Sequence, residues 1–281
     1  MRRILVPVDF SPSSENALNF AVQFSKKIPS EIVLMHSYEK TGSLYSAYVG
    51  IDKEFTQQQI SEEYAKLKSM EKSIEETEGV NVVVYEYEGP ARENILHAVY
   101  DKVIDLVIMG TLGNSGTMEQ LIGSKTAYVI NKCDKPVIAV PFNYNWHAPE
   151  KILFATTHFE ENELAPGFIF EMAAKFESEV HVLLFTEEEA SGKKFMDERK
   201  LQLYTFNLRE KYPDIPVFAV HLEGHHFEES LRHYADTQHI DLVTMINYHR
   251  SFTERLAHPS KTRHMSYLTN IPLLAIPGEP V

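Results

Sequence analysis

"ILVPVDFSPSSENAL", residues 4–18, changes from one hydrophobic pattern to another within a few positions. Ile4 to Val8 form a continuous apolar run, as expected of a strand covered on both faces. Ser11 then offers a helix N-cap, and Pro12 suits the first helical position. Ala17, Leu18, Ala21, Val22 and Ile28 keep helical spacing through the following residues. A buried strand running straight into an amphipathic helix is the opening unit of a parallel α/β sheet.

The alternation continues. EIVLMHSY (31–38) reads as a second strand, FTQQQISEEYAKLKSMEKSIEET (55–77) as a long helix, and VNVVVYEYEG (80–89) as a third strand ending at Gly89-Pro90. RENILHAVYDK (92–102) is predicted helical, IDLVIMG (104–110) a fourth strand, SKTAYVINKC (124–133) another helix and PVIAVP (136–141) a fifth strand. This order predicts a doubly wound parallel sheet. Ligands of such sheets sit beyond the carboxyl ends of the strands, where the strand order reverses.

The chain then repeats itself. RRILVPVDF (2–10) lines up with EKILFATTH (150–158), and SEIVLMH (30–36) with SEVHVLL (178–184), both at an offset of 148. IDLVIMG (104–110) matches IDLVTMI (240–246), and KPVIAVP (135–141) matches IPLLAIP (271–277), both at an offset of 136. The second half is therefore 12 residues shorter in its central connection. Shared order and spacing predict an α/β protein of two tandem doubly wound parallel-sheet domains, 1–142 and 150–281, with FNYNWHAPE (142–150) as the linker.

A chain of 281 residues can bury two cores, and 43% hydrophobic residues is a globular composition. The net charge of −13 argues against nucleic acid or an anionic membrane surface as partner, since both need a basic face. No apolar stretch approaches the ~20 residues that span a bilayer. Asp9 interrupts the first apolar run too early for a signal peptide. Cys133, the only cysteine, can form no internal disulfide. A reducing, cytoplasmic setting is expected.

The chemistry gathers in MGTLGNSGTMEQLIGSKT, residues 109–126. The predicted fourth strand ends at Met109-Gly110, so the glycines arrive at the carboxyl edge. Gly110 and Gly113 lack a Cβ and tolerate positive φ, which lets a ligand lie on the main chain. Gly123-Ser124 opens the next helix, whose first amides are free and whose dipole makes that end positive. Ser124 and Thr126 add hydroxyls, and Lys125 adds a charge. Together they read as a cradle for a phosphate chain. It is no Walker loop, because Ser124 separates Gly123 from Lys125 and Met118 stands where the upstream glycine belongs. Nor is it a Rossmann fingerprint, which needs G-x-G-x-x-G after a first strand.

What fits is G-x2-G-x9-G-S, met by Gly110, Gly113, Gly123 and Ser124. With ILVPVDFS at the first strand and VLMHSY at the second, the chain resembles the universal stress protein family in its ATP-binding subclass. The resemblance extends over the whole chain as a tandem pair of adenine nucleotide alpha hydrolase-like domains. It implies that Pro7, Val8 and Asp9 line the adenine and ribose end, and that Ser37 contacts adenine through its backbone. Met109 and Gly110 would lie under the ribose and first phosphate. Gly113, Gly123, Ser124, Lys125 and Thr126 would hold the remaining phosphates. Asp9 would grip a ribose hydroxyl or, through water, a divalent cation such as Mg²⁺ or Mn²⁺ accompanying the ATP. Many relatives carry a basic or polar residue where this chain has Leu112, which removes one phosphate contact.

Across the repeat the cradle is lost. Asp9 becomes Thr157 and Pro7 becomes Ala155, while Gly110, Gly113 and Gly123 become Ile246, His249 and Pro259; Ser124 persists as Ser260. Neither a β-branched side chain nor an imidazole permits the same close backbone approach. The second half is expected to bind no ATP in this manner and to serve as the built-in dimer partner of the first, with homodimerisation of whole chains left open. His221, His225, His226 and His233 lack converging partner ligands, so exposed or singly bonded histidines are expected rather than zinc. His36 reads as a satisfied histidine at the edge of the core or site, and Tyr85 and Tyr87 as sheet packing.

The resulting expectation is a nucleotide-dependent regulatory or stress-response protein with no catalytic residues and at most slow ATP hydrolysis. An adenylating enzyme is disfavoured, because VPVDFS has neither a serine-glycine-glycine loop nor paired histidines. A non-catalytic partner-binding module with a vestigial pocket is the alternative.

Overall fold

The computed structural model describes residues 2–39, 51–111, 123–156, 159, 164–187, 191–247 and 270–278. In the first half, β1 (Arg2–Pro7), α1 (Pro12–Lys27), β2 (Ser30–Tyr38), α2 (Ile51–Glu78) and β3 (Val82–Glu88) are followed by α3 (Ala91–Asp101), β4 (Leu106–Gly110), α4 (Ser124–Lys132) and β5 (Val137–Val140). In the second, β6 (Lys151–Ala155), α5 (Leu164–Phe176), β7 (Glu179–Glu187), α6 (Ser191–Lys211) and β8 (Val217–Gly224) precede α7 (Phe227–Gln238), β9 (Leu242–Asn247) and β10 (Leu273–Pro277). The start of α1 follows its sequence: the Ser11 hydroxyl accepts from the Ser14 amide at 3.3 Å, with Pro12 beside it. The long second helix begins at Ile51, earlier than the 55 read from periodicity.

Strand order is β3-β2-β1-β4-β5-β10-β9-β6-β7-β8, so the two halves share a single ten-stranded sheet. Within each half neighbouring strands are parallel. The exception lies in the middle. β5 and β10 run antiparallel, with Leu273 opposite Ala139, Leu274 opposite Ile138 and Ala275 opposite Val137. The repeat predicts two parallel sheets; their edge-to-edge fusion is the structure's addition. It removes two exposed edges that would otherwise invite pairing with other chains.

Each face of the sheet carries a core that runs through both halves. On one face Val6, Phe20, Phe24 and Leu34 join Phe154, Phe170, Phe176 and Leu184, with α1 and α5 meeting across the seam. On the other, Leu5, Val107, Val129 and Ile130 join Leu153, Val243 and Leu273. The stretch read as a linker belongs to this packing. Tyr144 is buried, and Trp146 sets its ring edge-on to Phe20 at 4.7 Å and near Phe176 at 6.2 Å. Arg2 adds an ion pair to Glu171 and stacks over Phe168 at 4.7 Å. Asp241 accepts from the amides of Glu150 and Lys151, both at 2.9 Å, and from His147 Nε2 at the same distance.

Shared cores leave little reason for the halves to unfold separately. Urea unfolding followed by Trp146 fluorescence and by far-ultraviolet circular dichroism is expected to give coincident transitions. Phe24→Ala should move both together by about 3–5 kcal/mol, as for other buried phenylalanines. Two resolved transitions would contradict the shared-core reading.

Candidate functional site

In the first half the strand order reverses between β1 and β4. Registered pairing of these strands covers only Ile4 with Leu106 and Leu5 with Val107. β2 runs on to Tyr38, past the end of β1 at Pro7. A notch is left at the carboxyl edge, where Asp9 after β1 and Lys125 at the head of α4 meet.

Asp9 stands on one side. Its Oδ1 accepts from the Ser11 hydroxyl at 2.5 Å and the Ser11 amide at 3.3 Å. Its Oδ2 lies 3.7 Å from Lys125 Nζ on the first turn of α4. Burial pushes the Asp9 pKa up, but the Ser11 bonds and the Lys125 charge outweigh it and hold the carboxyl below its usual range. End of β1 and start of α4 therefore face each other, as the sequence reading requires.

Gly123 caps α4 with φ 77° and ψ 136°, a conformation that L side chains rarely adopt, and it makes no side-chain cap hydrogen bond. Among the described residues, no side chain caps the first amides of α4, and the helix dipole makes that end positive. Ser124 is exposed beside it, and its hydroxyl accepts from Arg92 Nη2 at 2.8 Å.

Two predicted site residues have other duties. Gly110 does not use a positive φ. A Cβ there would fall 2.3 Å from the Ser13 carbonyl oxygen, so the glycine is required by the backbone of α1, whatever lies in the notch. Ser13 Oγ in turn donates to the Thr111 carbonyl at 2.6 Å. Thr126 is buried, and its hydroxyl donates to the Gly110 carbonyl at 2.9 Å. It ties α4 to β4 rather than offering a free donor. Gly113 and Leu112 lie outside the described residues, as do Thr157, His249, Pro259 and Ser260 of the second half.

The other predicted positions frame the notch. Val8 and Met109 are buried core residues and Pro7 is half-buried, so each faces the notch through its main chain at most. Ser37 Oγ accepts from Asn94 Nδ2 at 3.3 Å, which links the end of β2 to α3. His36 is the satisfied edge histidine expected. Its Nδ1–H donates to the Val8 carbonyl at 2.7 Å, and its ring packs on Phe10 at 4.8 Å. Phe10 has φ 58°, so this bond and stack brace a strained turn that carries Asp9. Behind His36, Nε2 lies 3.4 Å from Glu63 Oε2, and Glu86 is its register partner on β3. Glu86 Oε1 is buried and has no hydrogen-bond partner among the described residues. Burial pushes the Glu86 pKa up, His36 opposes this and Glu63 adds to it.

Arg92 escapes a motif-based reading. Its one sequence signal is its place just after Gly89-Pro90, the turn that ends β3 at this same edge of the sheet. In the second half, Ile246 stands at the position of Gly110 and packs against the core. His221 Nε2 meets Thr186 Oγ1 at 2.9 Å. Among the described residues, no three His, Cys, Asp or Glu side chains form a group that could hold a metal ion. No described helix is long and apolar enough to cross a membrane.

With this geometry in hand, comparison with known proteins is direct. The family model described as the universal stress protein family matches residues 1–141, half of the sequence. The chain belongs to the universal stress protein family. Universal stress protein MJ0577 of Methanocaldococcus jannaschii is 29% identical over 153 residues, which make up 50% of this chain and 94% of that one. A universal stress protein of Archaeoglobus fulgidus superposes over 98% of both chains, with a TM-score of 0.73 at 17% identity. Protein PA1789 of Pseudomonas aeruginosa matches 99% of this chain and 93% of its own, with a TM-score of 0.63 at 14% identity. Those two likenesses are of fold: tandem α/β halves across the whole length.

Two measurements test the site's construction. Gly110→Ala must push β4 off the backbone of α1, and an expected loss of about 2–3 kcal/mol should appear in urea unfolding; an unchanged midpoint would refute the tight contact. Because the pKa of Glu86 is raised on folding, the native state holds that proton more tightly than the unfolded chain. Its stabilising contribution is therefore lost as pH rises through the folded value. Glu86→Gln should raise the melting temperature by about 2 °C at pH 7 and leave it unchanged at pH 4. A drop at pH 7 would show that the carboxylate is needed by His36.

Proposed function

We propose that this universal stress protein binds one ATP, at the head of α4 in its first half, and acts as a nucleotide-dependent regulatory protein. The observation that carries the reading is the 3.7 Å approach of Lys125 to Asp9. It sets Lys125 and a helix start that has no side-chain cap among the described residues against a carboxylate suited to a sugar hydroxyl. Polyphosphate replaces Asp9 as the partner of Lys125, which frees Asp9 for the ribose. The amides of Ser124, Lys125 and Thr126 supply neutral donors to the phosphates. Gly113 belongs to this reading through the G-x2-G-x9-G-S spacing alone. Mg²⁺ or Mn²⁺ would enter with the nucleotide, with Asp9 as the carboxylate at the seat, and would neutralise phosphate charge.

The second half supplies structure in this reading. Ile246 fills the place of Gly110, and the antiparallel β5–β10 pairing joins the halves as an intramolecular pseudo-dimer. The domains are read as 1–142, with the seat, and 150–281, without it. The proposal concerns binding rather than turnover; any hydrolysis is slow.

Isothermal titration of the full chain with ATP and Mg²⁺ tests this. A stoichiometry near one is expected. Asp9→Asn and Lys125→Ala should each weaken binding about tenfold, the loss of one charge-assisted contact. Two equivalents per chain would overturn the assignment of the second half. No binding at all would overturn the ATP reading and favour a partner-binding module.

A further inference from the structure

We infer that Arg92 reads the length of the phosphate chain, so that the seat prefers ATP and ADP to AMP. This rests on the proposed nucleotide seat and adds to it a residue from α3, an element that the glycine motif does not include.

Arg92 is the second residue of α3 and is exposed. Its guanidinium reaches α4, where Nη2 donates to Ser124 Oγ at 2.8 Å and the carbon of the group lies 5.7 Å from the centre of the Tyr128 ring. Ser124 and Tyr128 stand four residues apart and share one flank of α4. On the other flank, Lys125 points to Asp9. The start of α4, without a side-chain cap among the described residues, thus lies between two cations, each held by a different element.

The protein carries a net −13, and three of its arginines pair with acids: Arg2 with Glu171, Arg3 with Glu31 and Arg232 with Asp236. Arg209 bonds the Val217 carbonyl instead. Among the described residues, Arg92 has no carboxylate within ion-pair distance; its partners are a hydroxyl and an aromatic face. One of its five N–H groups is used by Ser124, which leaves the planar fork available for two oxygens of one phosphate. Tyr128 steadies the plane of that fork at little cost in desolvation.

Direction follows from the same contacts. With the sugar at Asp9, the phosphates run away from Asp9 across the head of α4. The first meets Lys125 and the amides. Later ones arrive at Ser124, where Arg92 waits. AMP ends before reaching it.

Isothermal titrations of the full chain with ATP, ADP and AMP test this on the wild type, Arg92→Ala and Arg92→Lys. Arg92→Ala should weaken ATP and ADP about tenfold or more and AMP less than about twofold. Arg92→Lys should restore part of the loss, since a point charge remains without the fork. The side chain is exposed, so the melting temperature of each variant should match the wild type, and that is measured alongside. Equal losses for all three nucleotides, or unchanged ATP affinity, would overturn the role of Arg92 while leaving the seat intact. Failure of the wild type to bind any of the three would overturn the seat, and Arg92 with it.

Discussion

The structure depends on the pairing of β5 with β10. Both strands are short and buried, and each is the last of its half. Left unpaired, each would present a row of amides and carbonyls at an apolar edge. Pairing them antiparallel satisfies both rows and brings the two layers of helices into register. Phe20, Phe24 and Phe176 can then close over Tyr144 and Trp146. Hydrophobic burial of this kind dominates folding, and here most of it is common to both halves.

Within that frame the notch at β1 and β4 follows from topology, but its finish is local. Gly110 allows β4 to touch the Ser13 carbonyl at the start of α1, and Thr126 fastens α4 to the carbonyl of Gly110. Phe10, in a left-handed conformation, turns the chain so that Asp9 can face Lys125. The first two of these contacts involve main chain.

Much of this was legible in the sequence. The continuous apolar run from Ile4 to Val8, the Ser11-Pro12 start and the offsets of 148 and 136 residues predict the strands, the helices and the doubled plan. Asp9 and Lys125 emerge from one motif and one strand end, and the structure brings them together. The antiparallel seam was not legible, since strand direction between halves depends on how two complete units dock. Nor was the duty of Gly110: a missing Cβ signals close approach without saying to what, and here it is Ser13. The bond of the Thr126 hydroxyl was hidden for a related reason, because a hydroxyl near a glycine loop can serve a carbonyl as well as a phosphate. Arg92 left no motif because it acts across helices that are distant in sequence.

One bond gives the second half a hold on the first that packing alone would not. Asn247, at the end of β9, is buried and donates through Nδ2 to the carbonyl of Ile130 at 2.7 Å. That oxygen lies in the final turn of α4, where a helix has acceptors to spare. The helix is thus moored at its tail by a residue 117 positions further along the chain, while its head faces the notch. A rod pinned at one end swings at the other, and tugging on its free tip strains the pin. A tilt of this helix at its head therefore bears on β9, in the other half of the chain.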